Sequence, residues 1–437
     1  MLAEAQPQSL LAKTHPGQPG RIMAVDALRG FDMFWIIGAG SLVHALHSLK
    51  QDSLTTFLAN QLEHADWIGF RFYDLIFPLF VFLAGISLVF SLSKAIECGD
   101  RSAALNRVFR RGILLFLIGI FYSGAFREAW PHIRLMGVLN RIALAYFFAG
   151  LFFCFFKPRT LVAIFGGLLL GHWALLTFVP IRNIQLTRAG LAQVAEQRGD
   201  TNAAALFQDR TNPSGVKNSP TWAAAKDLFY STTDHVRGGY DKGLNLANHL
   251  DFQYLPGFKY DSYFDPEGYL STIPAIATCL LGVFAAFLLR TPALTDERKV
   301  LWLAGCGIAA AALGWLWGLQ FPVIKKIWTS SYVLVAGGYS ALLLAAFYQI
   351  VEVWQMRRWC QPFVWMGMNS ITIYLTANIL DGGFSRLAGR LAGGDVRTFF
   401  DNHVAEGFGE VVIALVGLAL AFWFVHFLYK KKIFLRL

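Results

Sequence analysis

His64-Ala65-Asp66-Trp67-Ile68-Gly69-Phe70-Arg71-Phe72-Tyr73-Asp74-Leu75-Ile76-Phe77-Pro78-Leu79-Phe80-Val81-Phe82-Leu83-Ala84-Gly85-Ile86-Ser87 decides how the chain is read. Its second half is apolar enough to enter a bilayer. Its first half sets an imidazole and two carboxylates at the edge of that apolar run. A titratable group at a membrane face marks a candidate site, because charge held against hydrocarbon needs a partner or a task. His64 is the sharpest candidate, since imidazole exchanges a proton near neutral pH as a general base must. Asp66 and Asp74 are close enough in sequence to orient the ring, as a carboxylate orients histidine in a catalytic triad. Asp74 falls one helical turn into the apolar run, where an isolated carboxylate costs about 2.5–3.5 kcal/mol, so it must be paired. Two other readings stay open: His64 as an interfacial anchor, and Asp74 as the partner of Arg71 or of an arginine on another helix.

The rest of the chain supplies the membrane. Of its 437 residues, 55% are hydrophobic and 15% charged, against about a quarter charged in a soluble domain. Aromatic residues reach 15%, which suits lipid-facing helices with aromatic belts. The expected class is all-α, a polytopic transmembrane bundle. The net charge of +10 does not point to nucleic acid, because the Lys and Arg residues lie in short loops between apolar runs, where they orient helices. Cys98, Cys154, Cys279, Cys306 and Cys360 lie in or beside apolar runs, so no disulfide framework is indicated. No His/Cys cluster has metal-ligand spacing, and no metal is expected. Walker and Rossmann glycine patterns are absent from the sequence, which argues against an ATP-driven pump.

Apolar runs of about 20 residues are read as spans. They fall at 28–46, 70–92, 112–123, 135–156, 160–180, 268–289, 300–319, 328–353, 362–380 and 408–429, about ten in all. The third is short and is expected to start among the arginines before it. Residues 1–22 carry no signal-peptide pattern and read as a disordered cytoplasmic tail. Residues 23–180 form a first half of about five helices and 268–437 a second. Between them, 181–267 is one long extracytoplasmic loop. Lys94, Arg101, Arg107, Arg110 and Arg111, then Lys157 and Arg159, Arg290, Arg298 and Lys299, Arg357 and Arg358, and Lys430, Lys431, Lys432 and Arg436 all fall on one side. The positive-inside rule makes that side cytoplasmic, with both termini there and His64 outside. Lys325 and Lys326 dissent. Within the long loop, 189–206 reads as a helix and 211–220 as a turn-rich connector. Residues 238–264 are dense in Tyr, Asp, Asn and Gly, as sugar-binding surfaces and ordinary loops both are. A short interfacial helix is expected within 382–407.

Other polar groups sit inside apolar runs. Arg134 and Arg141 are seven apart, on one helix face two turns apart. Asn140 and Arg141 suggest a polar cavity in the bundle or a salt bridge to Asp74. Asp265-Pro266-Glu267-Gly268 opens the sixth span, where carboxylates also suit a helix N-terminus. Met366-Gly367-Met368-Asn369-Ser370 places an amide and a hydroxyl in the ninth span, as ligand groups or as ties between helices.

Together these blocks, with Asp26-Ala27-Leu28-Arg29-Gly30 and Thr272-Ile273-Pro274, resemble the heparan-α-glucosaminide N-acetyltransferase family over nearly all of residues 22–437. The resemblance implies a transmembrane acetyl transfer, with cytosolic acetyl-CoA as donor and a glucosamine amine on the far side as acceptor. His64 matches the family's active-site histidine. On this reading His64, Asp74 and Asp66 are catalytic. Arg29, Arg134, Asn140, Arg141, Asn369 and Ser370 bind acetyl-CoA, with the arginines at 107–111 further candidates for its phosphates. Trp67, Asn245, Asp265 and Glu267 bind the amino sugar. The resemblance also implies a bacterial inner-membrane protein and suggests a homodimer. One departure is Gly38-Ala39-Gly40-Ser41, where lysosomal members have an Asn followed by glycines. The rival class is an inward transporter of N-acetylglucosamine or a related sugar, since intramembrane Asp and Arg also suit a proton-coupled carrier. No inverted repeat of the kind such carriers show is evident.

Overall fold

In hydrocarbon a long apolar run satisfies its backbone as a helix. The computed structural model describes residues 22–125, 128–380 and 383–435, and these are mostly helical with very little sheet. The first expected span is α1 (Met23–Phe34), which passes through a π-helical turn at Trp35–Ala39 into α2 (Gly40–Leu49). A short α3 (Ser53–Gln61) precedes the His64 segment. Then come α4 (Phe72–Glu97), α5 (Arg101–Tyr122), α6 (Val138–Phe155) and α7 (Pro158–Phe178). After the 181–267 region follow α12 (Tyr269–Arg290), α13 (Asp296–Gly318), α14 (Ser330–Tyr348), α15 (Gln361–Met368), α16 (Ser370–Ile379), α17 (Gly383–His403) and α18 (Phe408–Lys430).

Seven helices among the described residues are long and apolar enough to cross a membrane: α4, α6, α7, α12, α13, α14 with its continuation to Val353, and α18. The chain is an all-α polytopic membrane protein. The other three expected spans are helical but irregular. The first carries the π turn, and the third, α5, does start among the arginines. The ninth breaks at Asn369 into α15 and α16. The expected tail lies outside the described residues except for Ile22, as does Arg436.

Small residues let the central helices touch. Gly85 on α4 faces the Cys279 carbonyl of α12, and Gly282 on α12 faces the Phe82 carbonyl of α4. A Cβ at either position would meet backbone, so the pair sets the α4–α12 approach. Gly30 and Gly367 do the same for α1 and α15, against the Phe363 and Asp26 carbonyls.

The 181–267 region is more structured than a loop. It contains α8 (Arg188–Gln197), α9 (Thr201–Gln208), α10 (Pro220–Ser231) and α11 (Leu246–Tyr254), and β1 (Ile181–Arg182) pairs antiparallel with β2 (His235–Val236). Asp200 caps α9, so the single helix expected at 189–206 is two. Leu191, Phe207, Trp222, Phe229, Phe252 and Tyr263 are buried in a core of the region's own. Similarly, α17 is a 21-residue helix where a short one was expected. The 181–267 region docks on the bundle at the His64 end, where Trp67 Nε1 donates to the Tyr240 carbonyl at 2.7 Å.

Candidate active site

Asp74 organises the site, and its helix explains how. It stands at the third position of α4, and its Oδ2 accepts the N–H of Arg71 at 3.0 Å and of Ala65 at 3.2 Å. The first bond is the reach-back of a capping box, which satisfies an orphan helix donor. Pro78 has no N–H, so it cannot bond the Asp74 carbonyl one turn back. Tyr332 on α14 supplies the missing donor, with its hydroxyl 2.7 Å from that carbonyl. The proline therefore makes a polar docking point inside the bundle.

The other carboxylate oxygen faces the chemistry. Asp74 Oδ1 lies 2.9 Å from His64 Nδ1 and 3.3 Å from Lys325 Nζ. Lys325 Nζ is also 2.9 Å from His64 Nδ1 and 3.4 Å from Nε2. Asp74 is fully buried, whereas the His64 side chain is 51% exposed. With the imidazole proton on Nδ1, His64 donates to Asp74 Oδ1, Lys325 bonds the same carboxylate, and Nε2, 3.4 Å from Lys325 Nζ, is the ring's acceptor nitrogen. Gly69 holds the segment in place: its φ of +127° is a glycine conformation, and its N–H donates to the Val323 carbonyl at 2.9 Å, beside Lys325. Burial lowers the Lys325 pKa, and Asp74 and Glu267 oppose that shift.

His64, Glu267 and Lys325 line a cavity of about 210 Å³ together with Tyr73, Ser370 and Tyr374. A second cavity, of about 440 Å³, lies toward the end where the basic loops cluster and is lined by Arg29, Arg111, Asn369 and Ser370. The two adjoin, because Phe80, Leu139, Ile142, Ser370 and Ile371 line both. Arg29 donates to Ser87 Oγ at 2.5 Å and pairs with Asp26 at 3.3 Å. Arg111 lies over the Tyr146 ring at 4.5 Å. The break at Asn369 brings its side chain to this cavity, and its buried Oδ1 has no hydrogen-bond partner among the described residues. A third cavity, of about 860 Å³, lies on the other side of the His64 cavity and includes Glu128, His132, Arg134 and Tyr260. Val138 and Tyr374 border both of these cavities, and Tyr374 stacks on Tyr122 at 4.8 Å.

The remaining candidates separate by what they touch. Arg134 donates to both oxygens of Asp265, at 2.8 and 2.6 Å, and pairs with Glu267. Arg141 is fully buried; it donates to the Pro266 carbonyl at 2.7 Å and to Ser271 Oγ, and lies over the Trp328 ring at 4.8 Å. It is not among the residues lining the three cavities, and among the described residues it pairs with neither Asp74 nor any other carboxylate. Asn140 donates to the Phe116 carbonyl at 2.9 Å and accepts the Gly137 N–H, joining α5 to α6. Asn245 caps α11 and has both amide ends occupied by Asn248 and Asp241. Asp66 is exposed, with no hydrogen bond to the imidazole among the described residues, and Trp67 anchors the 181–267 region. Asp66, Trp67, Asn140, Arg141, Asn245 and Asp265 are therefore not among the residues that line these three cavities. Two further groups come from outside the sequence candidates. Lys325 carried only the signal of a basic residue on the wrong side of the bundle. Asp251, buried on α11, accepts the Tyr269 N–H at 3.0 Å, and burial pushes its pKa up to about 8.

The fold and the site define a polytopic membrane protein with a histidine–carboxylate–lysine cluster opening onto cavities that reach toward a basic face. A family model described as heparan-alpha-glucosaminide N-acetyltransferase, catalytic, matches residues 21–192. The chain is 26% identical over 401 residues to the heparan-alpha-glucosaminide N-acetyltransferase of Mus musculus, covering 86% of this chain and 56% of that one. It is 25% identical over 461 residues to the Homo sapiens protein of the same name, covering 96% and 60%. The chain is thus similar to heparan-alpha-glucosaminide N-acetyltransferases, and it spans somewhat over half the length of these curated relatives.

Proposed function

We propose that the chain is a transmembrane acetyltransferase that takes acetyl-CoA at its basic face and acetylates the amine of a glucosamine-type sugar at the His64 end. The basic face is assigned to the cytoplasm and the His64 end to the outside of a bacterial inner membrane. The observation that carries this reading is the adjoining of the Arg29–Arg111 cavity with the His64 cavity. Coenzyme A bears phosphates that do not enter hydrocarbon cheaply. Its nucleotide stays beside the arginines, and its slender pantetheine arm threads past Ser370 to bring the thioester beside His64.

The acceptor amine arrives from the opposite cavity. Its nitrogen attacks the thioester carbonyl while His64 Nε2 takes the amine proton. The C–S bond then breaks, and the CoA thiolate leaves with the proton held by His64. Asp74 fixes the productive tautomer and favours the imidazolium that forms in between. Proton and charge balance without a metal or an oxidant.

The test uses purified wild-type and His64→Ala protein with acetyl-CoA and glucosamine, with N-acetylglucosamine measured by mass spectrometry. The variant is expected to lose about 10²–10⁴-fold in rate. Undiminished acetylation by the variant would end the proposal. Thermal stability separates the rival carrier class. Acetyl-CoA raises the melting temperature of an enzyme that binds it, whereas a sugar carrier would respond to N-acetylglucosamine alone.

A further inference from the structure

We infer that Lys325 is a catalytic residue: its ammonium group binds the oxyanion that forms when the amine attacks the thioester carbonyl. The inference rests on the acetyltransferase reading and adds to it a group that the family-model match at 21–192 does not reach. Three observations carry it. First, Lys325 violates the charge distribution of the chain, and a cation on the disfavoured side needs a local reason. Its neighbour Lys326 has a structural one, a 2.6 Å pair with Asp261. Lys325 instead turns to the site, 2.9 Å from His64 Nδ1 and 3.3 Å from Asp74.

Second, it lines the same cavity as His64, so base and cation face one space. An ammonium has three N–H groups. Asp74 takes one, which leaves donors for the cavity. Third, the other cations near this end are committed elsewhere. Arg134 is held by Asp265 and Glu267, Arg71 by Glu63 and the His64 carbonyl, and Arg141, bonded to Pro266 and Ser271 through one nitrogen with its other two unpaired, lines none of the three cavities. Attack by a neutral amine on the thioester carbonyl places negative charge on the carbonyl oxygen. A preorganised cation in a partly dry cavity stabilises that charge more strongly than water does. Asp74 then does two jobs with one oxygen: it orients the base and keeps the lysine charged.

The groups facing Lys325 are His64, Asp74, Glu267 and Lys326, with Tyr73 and Tyr374 lining the same cavity. Because burial lowers its pKa, activity should fall on the alkaline side as the ammonium loses its proton, below the usual lysine range.

The experiment compares wild type, Lys325→Met, Lys325→Arg and Lys326→Met with acetyl-CoA and glucosamine, across pH 6 to 10 (a range set by ordinary histidine and lysine pKa values). Lys325→Met is expected to lower kcat by about 10²–10³-fold, with both KM values within about threefold of wild type, and to abolish the alkaline limb. Lys325→Arg keeps a charged donor, so it should recover part of the rate and move the alkaline limb upward. Lys326→Met should leave the rate near wild type. The inference is overturned if Lys325→Met keeps kcat within about tenfold, if its loss appears in KM rather than kcat, or if the alkaline limb survives. Should Lys325→Met fail to fold, an unmoved alkaline limb in Lys325→Arg overturns it equally. Absence of turnover in wild type would sink the acetyltransferase reading and this inference together. Activity in wild type that His64→Ala abolishes but Lys325→Met spares would sink this inference alone.

Discussion

Two clusters of charge lie within the same end of the bundle and are built on opposite plans. In the first, Arg134 is clamped by Asp265 and Glu267, and Arg141 and Asp251 lie behind them. Its donors and acceptors are spent mostly on one another and on backbone, and they join the 181–267 region to the start of α12. In the second, His64 and Lys325 share one oxygen of Asp74 and open onto a cavity. The imidazole keeps a lone pair, and the lysine keeps donors. Charge that saturates itself holds a fold together, whereas charge left incomplete toward a cavity is available to a substrate. Glu267 touches both worlds, paired with Arg134 yet lining the His64 cavity.

Substitutions can break the contrast or sharpen it. The largest expected effect is Arg134→Met, which strands two buried carboxylates and should cost about 3–5 kcal/mol of stability. Thermal unfolding in detergent measures it; an unchanged melting temperature with lost activity would move Arg134 into the catalytic cluster. Asp74→Asn should act on rate, lowering kcat at least about 10²-fold by unsettling the His64 tautomer and the Lys325 charge. Steady-state kinetics would show otherwise if kcat held and only KM rose.

Asp251 gives a pH signature. Its carboxyl pKa is raised to about 8 in the fold from about 4 when unfolded. The folded state therefore holds a proton that the unfolded state releases, and this group's contribution to stability falls as pH rises between those values. From pH 6 to 7.5 the loss is about 2 kcal/mol. Asp251→Asn should flatten that part of the melting-temperature profile, and an identical slope in the variant would refute the assignment. Smallest is Asn245→Ala, which removes the α11 cap for about 1 kcal/mol. The acceptor KM should stay where it was, and a large rise would return Asn245 to the sugar site.

The fold was largely readable because hydropathy reports which segments leave water, and all ten apolar segments are helical. What hydropathy does not report is pairing across the chain. His64 and Asp74 are ten residues apart and were legible as a unit, whereas Lys325 joins them from 261 residues away. Arg141 and Asn140 looked like cavity residues because polar groups in apolar runs demand partners. The partners proved to be carbonyls and a hydroxyl, which leave no pattern in sequence. Asn369 was visible as a polar residue in a span, but the helix break that aims it at the basic cavity was not. The compact 181–267 region was missed for a related reason: its short helices are individually weak signals, and their shared aromatic core exists only once they pack.

The central claim is that donor and acceptor meet at His64 from opposite faces of the membrane. Sealed vesicles containing the protein in one orientation, fixed by single-cysteine labelling, test it directly. Acetyl-CoA is supplied only on the basic-face side and glucosamine only on the His64 side. N-acetylglucosamine is expected to accumulate on the His64 side, with free CoA on the other, and His64→Ala vesicles should form neither. Product appearing on the side of the donor, or equal product from the His64→Ala vesicles, would contradict it.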